Sequence, residues 1–246
     1  GIVTAPHYLA ADAGLAVLQK GGNAVEAMIA MAAVIPVVYP HMNAIGGDSF
    51  WLVKPAGKQP IGIDASGAAA ENTSIEIYLN KGYEKIPERG PLAVNTVAGT
   101  ISGWNAALQL SRELGGSKQR ESLLEAAIYL AEEGFPMSKS QSIATEEKKN
   151  EFLHISSYAD TFLVDGTVPK TGDIFKQPRL AKTLRRLAVD GFETFYKGPL
   201  AAKIVKDLAH AGSLVSAGDL ERHQATFPKP LSVQLKTGKV WNMPPP

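Results

Sequence analysis

The 246-residue chain predicts an α+β fold, with helices clustered in blocks around few strands, and two observations carry that expectation. The first is a buried-type helix. Asn23 followed by Glu26 reads as an N-cap with its capping-box partner. From Ala24 to Ile35 the only charge is Glu26, in the first turn, where the helix dipole favours it. A helix apolar all round is expected to be buried all round. Pro36 and Pro40 are expected to end it, because the ring removes a donor and clashes with the preceding turn. The second is the glycine pair Gly46-Gly47, which opens a short strand, Ser49 to Val53. That strand is apolar on both faces and therefore expected to be central in its sheet.

The remaining elements follow from their stop signals. Leu9 to Lys20 is a helix closed by Gly21, and Thr73 with Glu76 forms a second capping box leading a short helix to Leu79. Gly99 to Leu114 closes on Gly115, and Glu121 to Glu133 on Gly134 with Pro136 beyond. The polar stretch Ser138–Asn150 reads as an amphipathic surface helix. Pro178 to Asp190 carries proline in its first turn and stops at Gly191, and Gly198 to Ala211 closes on Gly212. Strands are expected at Ile61–Asp64, Leu92–Val94 and Thr161–Val164, with a hairpin from Leu231 to Met243 turning at Thr237-Gly238. The hairpin runs into Pro244-Pro245-Pro246, an extended spacer, so its outer edges are expected to need partners.

Composition excludes several function classes. With 45% apolar residues the chain can bury a substantial core. Twenty-five basic against 24 acidic residues leave a net charge of +1 and no global field for nucleic acid. Lys182, Arg185 and Arg186 read as a solvated helix face. No cysteine is present, which excludes a disulfide framework, a thiolate nucleophile and cysteine zinc sites, and leaves the compartment open. No stretch is long enough to span a bilayer, and no signal peptide is visible. Gly1 in place of Met, and the triproline at the other end, give the expectation that the chain is a piece of a longer one.

A search for catalytic motifs finds no complete set. Gly47-Asp48-Ser49 is followed by Phe50-Trp51 and so is no nucleophile elbow, and phosphate-binding glycine loops and H-E-x-x-H are absent. His7, His41, His154, His210 and His223 stand singly and read as surface or satisfied core residues. Asp12, Asp48, Asp64, Asp160, Asp165 and Asp173 show no metal-loop spacing.

A resemblance supplies what the motifs do not. Gly21–Phe50 resembles the γ-glutamyltransferase (γ-glutamyltranspeptidase) family, whose pattern is GGNAVDA, an apolar helix, then PH-x-x-x-IGGGGF. The likeness continues in order. Asp64–Ala70 resembles D-x-R-E-x-A-P, Val97–Gly103 resembles VPGTVAG, and Ala131–Pro136 resembles A-x-x-GF. Gly172-Asp173, Gln177-Pro178, Leu180-Ala181 and Thr183-Leu184 are similar to GD…QP-x-LA-x-TL; Phe195-Tyr196 with Gly198 and Leu214–Leu220 follow, and Met243–Pro246 resembles MPPPSSGG. The resemblance implies an N-terminal nucleophile hydrolase with an αββα sandwich, made as a proenzyme that cuts itself into a large and a small subunit. Residues 1–246 match the N-terminal part of the large subunit, one incomplete domain.

The same resemblance implies a mechanism and a partner. The new amino-terminal threonine of the small subunit is the nucleophile, and its own amine is the base; an α-amine titrating near neutrality activates the hydroxyl without a histidine. That threonine lies beyond the MPPP block, so no catalytic residue is expected in this chain. The expected partners are the small subunit, or C-terminal remainder, and a small-molecule acyl amide, with no cofactor, metal, nucleic acid or membrane span. In the family the arginine of D-x-R-E-x-A-P grips the α-carboxylate of the γ-glutamyl donor. Here that position is Ser66, the following glutamate is Gly67, and Asp48 and Ser49 replace two glycines. Ser66 donates one neutral hydrogen bond and cannot fork onto a carboxylate. Two alternatives therefore stand beside γ-glutamyl chemistry: an acylase of the same superfamily taking glutaryl-type amides, and a non-catalytic family member.

Overall fold

The computed structural model describes residues 1–246, the side chain of Ser156 excepted. In chain order the elements are α1 (Tyr8–Gln19), α2 (Ala24–Val38), β1 (Ser49–Val53), β2 (Ile61–Ala65), α3 (Ile75–Asn80), α4 (Thr100–Glu113), α5 (Arg120–Glu133), β3 (Phe135–Pro136), α6 (Lys139–Phe152), α7 (Ser156–Phe162), β4 (Ile174–Phe175), α8 (Pro178–Asp190), α9 (Pro199–Ala211), α10 (Ala217–Arg222), β5 (Leu231–Leu235) and β6 (Gly238–Asn242). A single 3-10 turn, Phe192–Phe195, precedes α9. Among the described residues no helix is long and apolar enough to cross a membrane. The chain divides into two compact units, residues 1–44 with 111–189, and residues 45–110 with 190–246.

The first unit is built on α2, which packs against α1 and α5. Its capping box is complete: Asn23 accepts from the Glu26 amide at 3.0 Å and Glu26 Oε2 accepts from the Asn23 amide at 2.8 Å. Glu26 is 1% exposed, and its second oxygen accepts from the Lys118 amide, so the buried carboxylate also pins the loop before α5. The helix does not stop at Pro36. It runs on to Val38, because a proline in the last turn forfeits one bond while its ring stays in the core. The carbonyl of Val37, otherwise orphaned at the C-terminus, accepts from the buried Gln177 side chain at 2.7 Å. Within Ala24–Ile35 the expectation of burial all round holds for eight positions, while Ala24 and Met28 are exposed. Beside this helix layer, the short β3–β4 pair brings Phe135 against Phe175, which Phe162 stacks upon.

The second unit is built on the antiparallel pair β1–β2 and the helix α4. Trp51, Ile63 and Ala65 are buried, and Trp104 of α4 is fully buried with its ring edge-on to Phe192 at 5.9 Å. Thr226 exchanges two backbone hydrogen bonds with Asp64, at 2.9 and 2.8 Å, on the free side of β2. The end of α4, from Ser111, belongs to the first unit.

Several expected elements differ. β1 pairs with β2 alone among the described residues, and Phe50 and Leu52 are over 40% exposed, so β1 is an edge strand with an open apolar face. Leu92–Val94 is a turn, held by amides donating to the Gly90 carbonyl. Of Thr161–Val164 the first two residues end α7 and Leu163 caps it, and a strand is reduced to a one-residue bridge between Val164 and Thr167. Ser74, not Thr73, is the N-cap of α3. The hairpin β5–β6 forms over the expected residues, with its turn one residue earlier at Lys236-Thr237 and Val233 opposite Val240.

Candidate active-site loops

Three segments far apart in sequence meet at one end of the β1–β2 pair. Gly47 offers its carbonyl to the Gly99 amide at 3.0 Å, the Thr100 amide at 2.9 Å and the Thr100 hydroxyl at 2.8 Å. The Thr100 hydroxyl also reaches the Asp48 carbonyl at 3.1 Å. The turn after Gly46 is thereby tied to the first residues of α4. The segment after β2 is tied to the same place: Ala68 accepts from the Val97 amide at 2.9 Å, and the Ala70 amide donates to Asn95 at 2.8 Å.

Glycine is required at this meeting point. Gly67 has φ +82°, and any side chain there would drive its first carbon into the Val97 carbonyl. Gly99 is blocked in the same way by the Ala65 carbonyl. The two backbones press together with no room for a methyl group, so a glutamate at position 67 is sterically excluded. Ser66 is the side chain this turn presents. It is half-buried, its amide donates to Asp64 Oδ1 at 2.9 Å, and its hydroxyl makes no hydrogen bond among the described residues.

Charge at this end is negative. Burial, and then the neighbouring Asp64, raise the Asp48 carboxyl above its ordinary 3.8. A cation lies close by on α10, but it is already balanced. Arg222 donates to Glu71 at 2.7 Å and to Asp219 at 3.0 Å, beside a cavity of about 290 Å3 bordered by Ala68, Ala69 and Val97.

The N-terminal turn of α4 carries a second constellation. Tyr196 donates to the Ala98 carbonyl at 2.8 Å and accepts from the Ser102 amide at 2.9 Å. Burial pushes its hydroxyl up to about 12, so it remains a donor at any physiological pH. Ser102 Oγ lies 2.8 Å from His223 Nε2 and donates to the Gly99 carbonyl at 2.7 Å. A cavity of about 300 Å3 opens beside them. His223, read from sequence as a single residue, is therefore paired; the available signal was Ser102 itself, which stands where the resembled motif has alanine. Its pKa is lowered by burial, and because the Ser102 hydroxyl proton goes to the Gly99 carbonyl, the imidazole completes the set with Nε2–H donating to Ser102 Oγ, a fastener of α10 to α4.

His41 behaves otherwise. Both ring nitrogens are buried without a hydrogen-bond partner among the described residues, and the ring lies edge-on to Tyr39 at 4.2 Å. Among the described residues no group of three or more histidines and carboxylates could hold a metal ion.

Comparison with known proteins adds the context of these loops. The family model for gamma-glutamyltranspeptidase matches residues 10–246. An oxamate amidohydrolase proenzyme of Klebsiella pneumoniae is 49% identical over 247 residues, covering 100% of this chain and 46% of its own length. Among solved structures, Helicobacter pylori gamma-glutamyltranspeptidase superposes with a TM-score of 0.92 at 31% identity, covering 100% of this chain and 70% of that one. A cephalosporin acylase from Bacillus halodurans superposes at 0.89 with 32% identity, covering 96% and 44%. The chain spans about half the length of the curated relatives it matches.

Proposed function

The chain belongs to the gamma-glutamyltranspeptidase family and has the corresponding part of its N-terminal nucleophile hydrolase fold, and from that premise we propose that it is the large-subunit part of a self-processing amidohydrolase. The observation that carries this reading is the convergence of the matched motifs. Residues 46–50, 64–70 and 97–103 are separate in sequence, yet Gly47, Gly67 and Gly99 lock them into one rigid cluster. A scaffold of that kind positions groups to within the tolerance that catalysis needs. Residues 1–246 act in this reading as one incomplete domain. The nucleophilic threonine and its amine come from the remainder of the polypeptide, and attack on the amide carbonyl gives an acyl-enzyme that water or an amine resolves.

For the acyl donor, Ser66 decides the reading. A serine at the position of the carboxylate-binding arginine, with the nearby Arg222 already paired to Glu71 and Asp219, removes the fork that a γ-glutamyl tail requires. Glutaryl amides keep the same distal carboxylate and share the disadvantage. A short donor such as oxamate, the substrate in the name of the Klebsiella relative, has no tail to be held. Short acyl amides are therefore the substrate class we favour over γ-glutamyl amides.

The test uses the full-length protein. Mass spectrometry is expected to show two chains, the second beginning with threonine, and ammonia release from oxamate is expected to vanish when that threonine is replaced by alanine. Ser66→Arg is expected to raise kcat/KM for a γ-glutamyl anilide about 10- to 100-fold relative to an uncharged acyl anilide. An unprocessed chain with no amide turnover would refute the reading.

A further inference from the structure

The register of β1 and β2 places a second residue at the end of the proposed acyl pocket. Ser49 stands opposite Ala65 and Phe50 opposite Asp64. Beyond the last paired residues, Asp48 precedes Ser49 and Ser66 follows Ala65, so the two flank the same end of the pair and the register, carried one step on, sets them across from one another. The backbone there is held on both strands, because the Asp48 carbonyl accepts from Thr100 and the Ser66 amide donates to Asp64. We infer that Asp48 is a specificity-determining residue, which places a carboxylate across from Ser66 so that the enzyme selects acyl tails ending in an uncharged or protonated hydrogen-bond donor over tails ending in a carboxylate. The inference rests on the reading of residues 64–70 as part of the acyl pocket.

Three features carry it. Gly67 and Gly99 admit no side chain, so the chemistry of this wall is set by Ser66 and its cross-strand neighbour. The neighbour is anionic, and the charged group facing it among the described residues, Asp64 of β2, is anionic as well. Arg222 does not reverse the sign, being paired with Glu71 and Asp219. An entering carboxylate meets two like charges and one neutral hydroxyl, and although Asp48 itself is exposed, like charges at contact range repel. An entering ammonium or hydroxyl finds an acceptor in Asp48 and a second partner in Ser66. Oxamate falls outside the selection because its carboxylate is bonded directly to the scissile carbonyl and is too close to it to reach the position where the end of a five-carbon tail would meet Asp48.

The experiment compares three p-nitroanilides of equal length in the full-length processed enzyme: glutaryl, pentanoyl and 5-aminopentanoyl, with charges of −1, 0 and +1 at the tail. The wild type is expected to cleave the 5-aminopentanoyl and pentanoyl compounds with higher kcat/KM than the glutaryl one. Asp48→Asn is expected to raise the glutaryl-to-pentanoyl ratio about tenfold and to lower the 5-aminopentanoyl-to-pentanoyl ratio. A purely structural role for Asp48 would move all three together. The pH profile adds a second readout: as pH falls through the raised pKa of Asp48, the wild-type ratios should drift toward those of Asp48→Asn. Ratios unchanged by Asp48→Asn, or an enzyme that cleaves oxamate but none of the three anilides, would overturn the inference while leaving the amidohydrolase reading intact. Absence of turnover on oxamate as well as on all three anilides would refute that underlying reading instead.

Discussion

At the scale of single residues, the site is defined more by what is missing from side chains than by what they offer. Position 67 resembles a family glutamate in register, and only the structure shows why glutamate cannot sit there: a side chain would collide with the Val97 carbonyl, and φ is +82°. Gly67→Ala is therefore expected to destabilise the full-length protein by about 2 kcal/mol or more, through left-handed strain added to a backbone clash. Thermal unfolding reads this directly, as a fall in Tm of several degrees, with alanine at the open position Gly46 as the control that changes little. Equal melting of the two variants would show that residues 66–68 yield to the new methyl group and do not form a rigid wall. Ser66 and Asp48 were both legible in the sequence as departures from the family pattern. That they flank the same end of β1–β2 was not, because one register step decides which residues meet, and hydrophobic pattern alone does not set the register of a strand this short.

At the scale of elements, the sequence was most reliable where a physical stop signal had no competitor. The capping box of α2, the Gly212 end of α9 and the full extent of α8 appear as expected, since caps and left-handed glycines act locally. It was least reliable where burial could override the local signal. Pro36 failed to end α2 because its ring is buried and the lost hydrogen bond falls in the final turn. The same packing leaves His41, just beyond that helix, with two unpartnered buried nitrogens. Burial lowers the pKa of His41, with His7 adding to the effect, and burial also lowers His7 and His223. In each case the unfolded chain binds protons more readily than the fold, so ν(U) exceeds ν(N) between the folded pKa and the ordinary value of 6.5. The resulting stability is fully present above about pH 6.5 and is lost as pH falls through that window. His41→Phe removes both orphaned nitrogens and one of the three titrations. It is expected to flatten the dependence of Tm on pH between about 6.5 and 5, with its largest gain at the acidic end, while keeping the ring contact with Tyr39. A variant that melts with an unchanged slope would show that His41 does not titrate on unfolding.

At the scale of the whole molecule, exposed apolar side chains occur on helices and loops as well, but on two strand pairs they line up along one face. Phe50 and Leu52 of β1 and Leu231, Val233, Leu235 and Val240 of the β5–β6 hairpin are each more than 40% exposed. On the hairpin these four apolar residues share one face, since alternate positions along β5 and the cross-strand partner of Val233 point the same way. A face of this kind on an edge-exposed pair is where another part of a protein packs, or where aggregation starts. If the remainder of the polypeptide covers it, as the proposed two-part enzyme requires, a single charge there has opposite consequences in two preparations. In residues 1–246 alone, Val233→Asp should reduce dye binding and aggregation while leaving secondary structure unchanged, because the new carboxylate meets water. In the full-length protein the same substitution should bury that carboxylate against apolar neighbours and cost several kcal/mol, seen as a large fall in Tm or loss of the processed product. Equal tolerance of Val233→Asp in both preparations would mean that the hairpin faces solvent in the complete enzyme, and that the covering surface has to be sought on β1 instead.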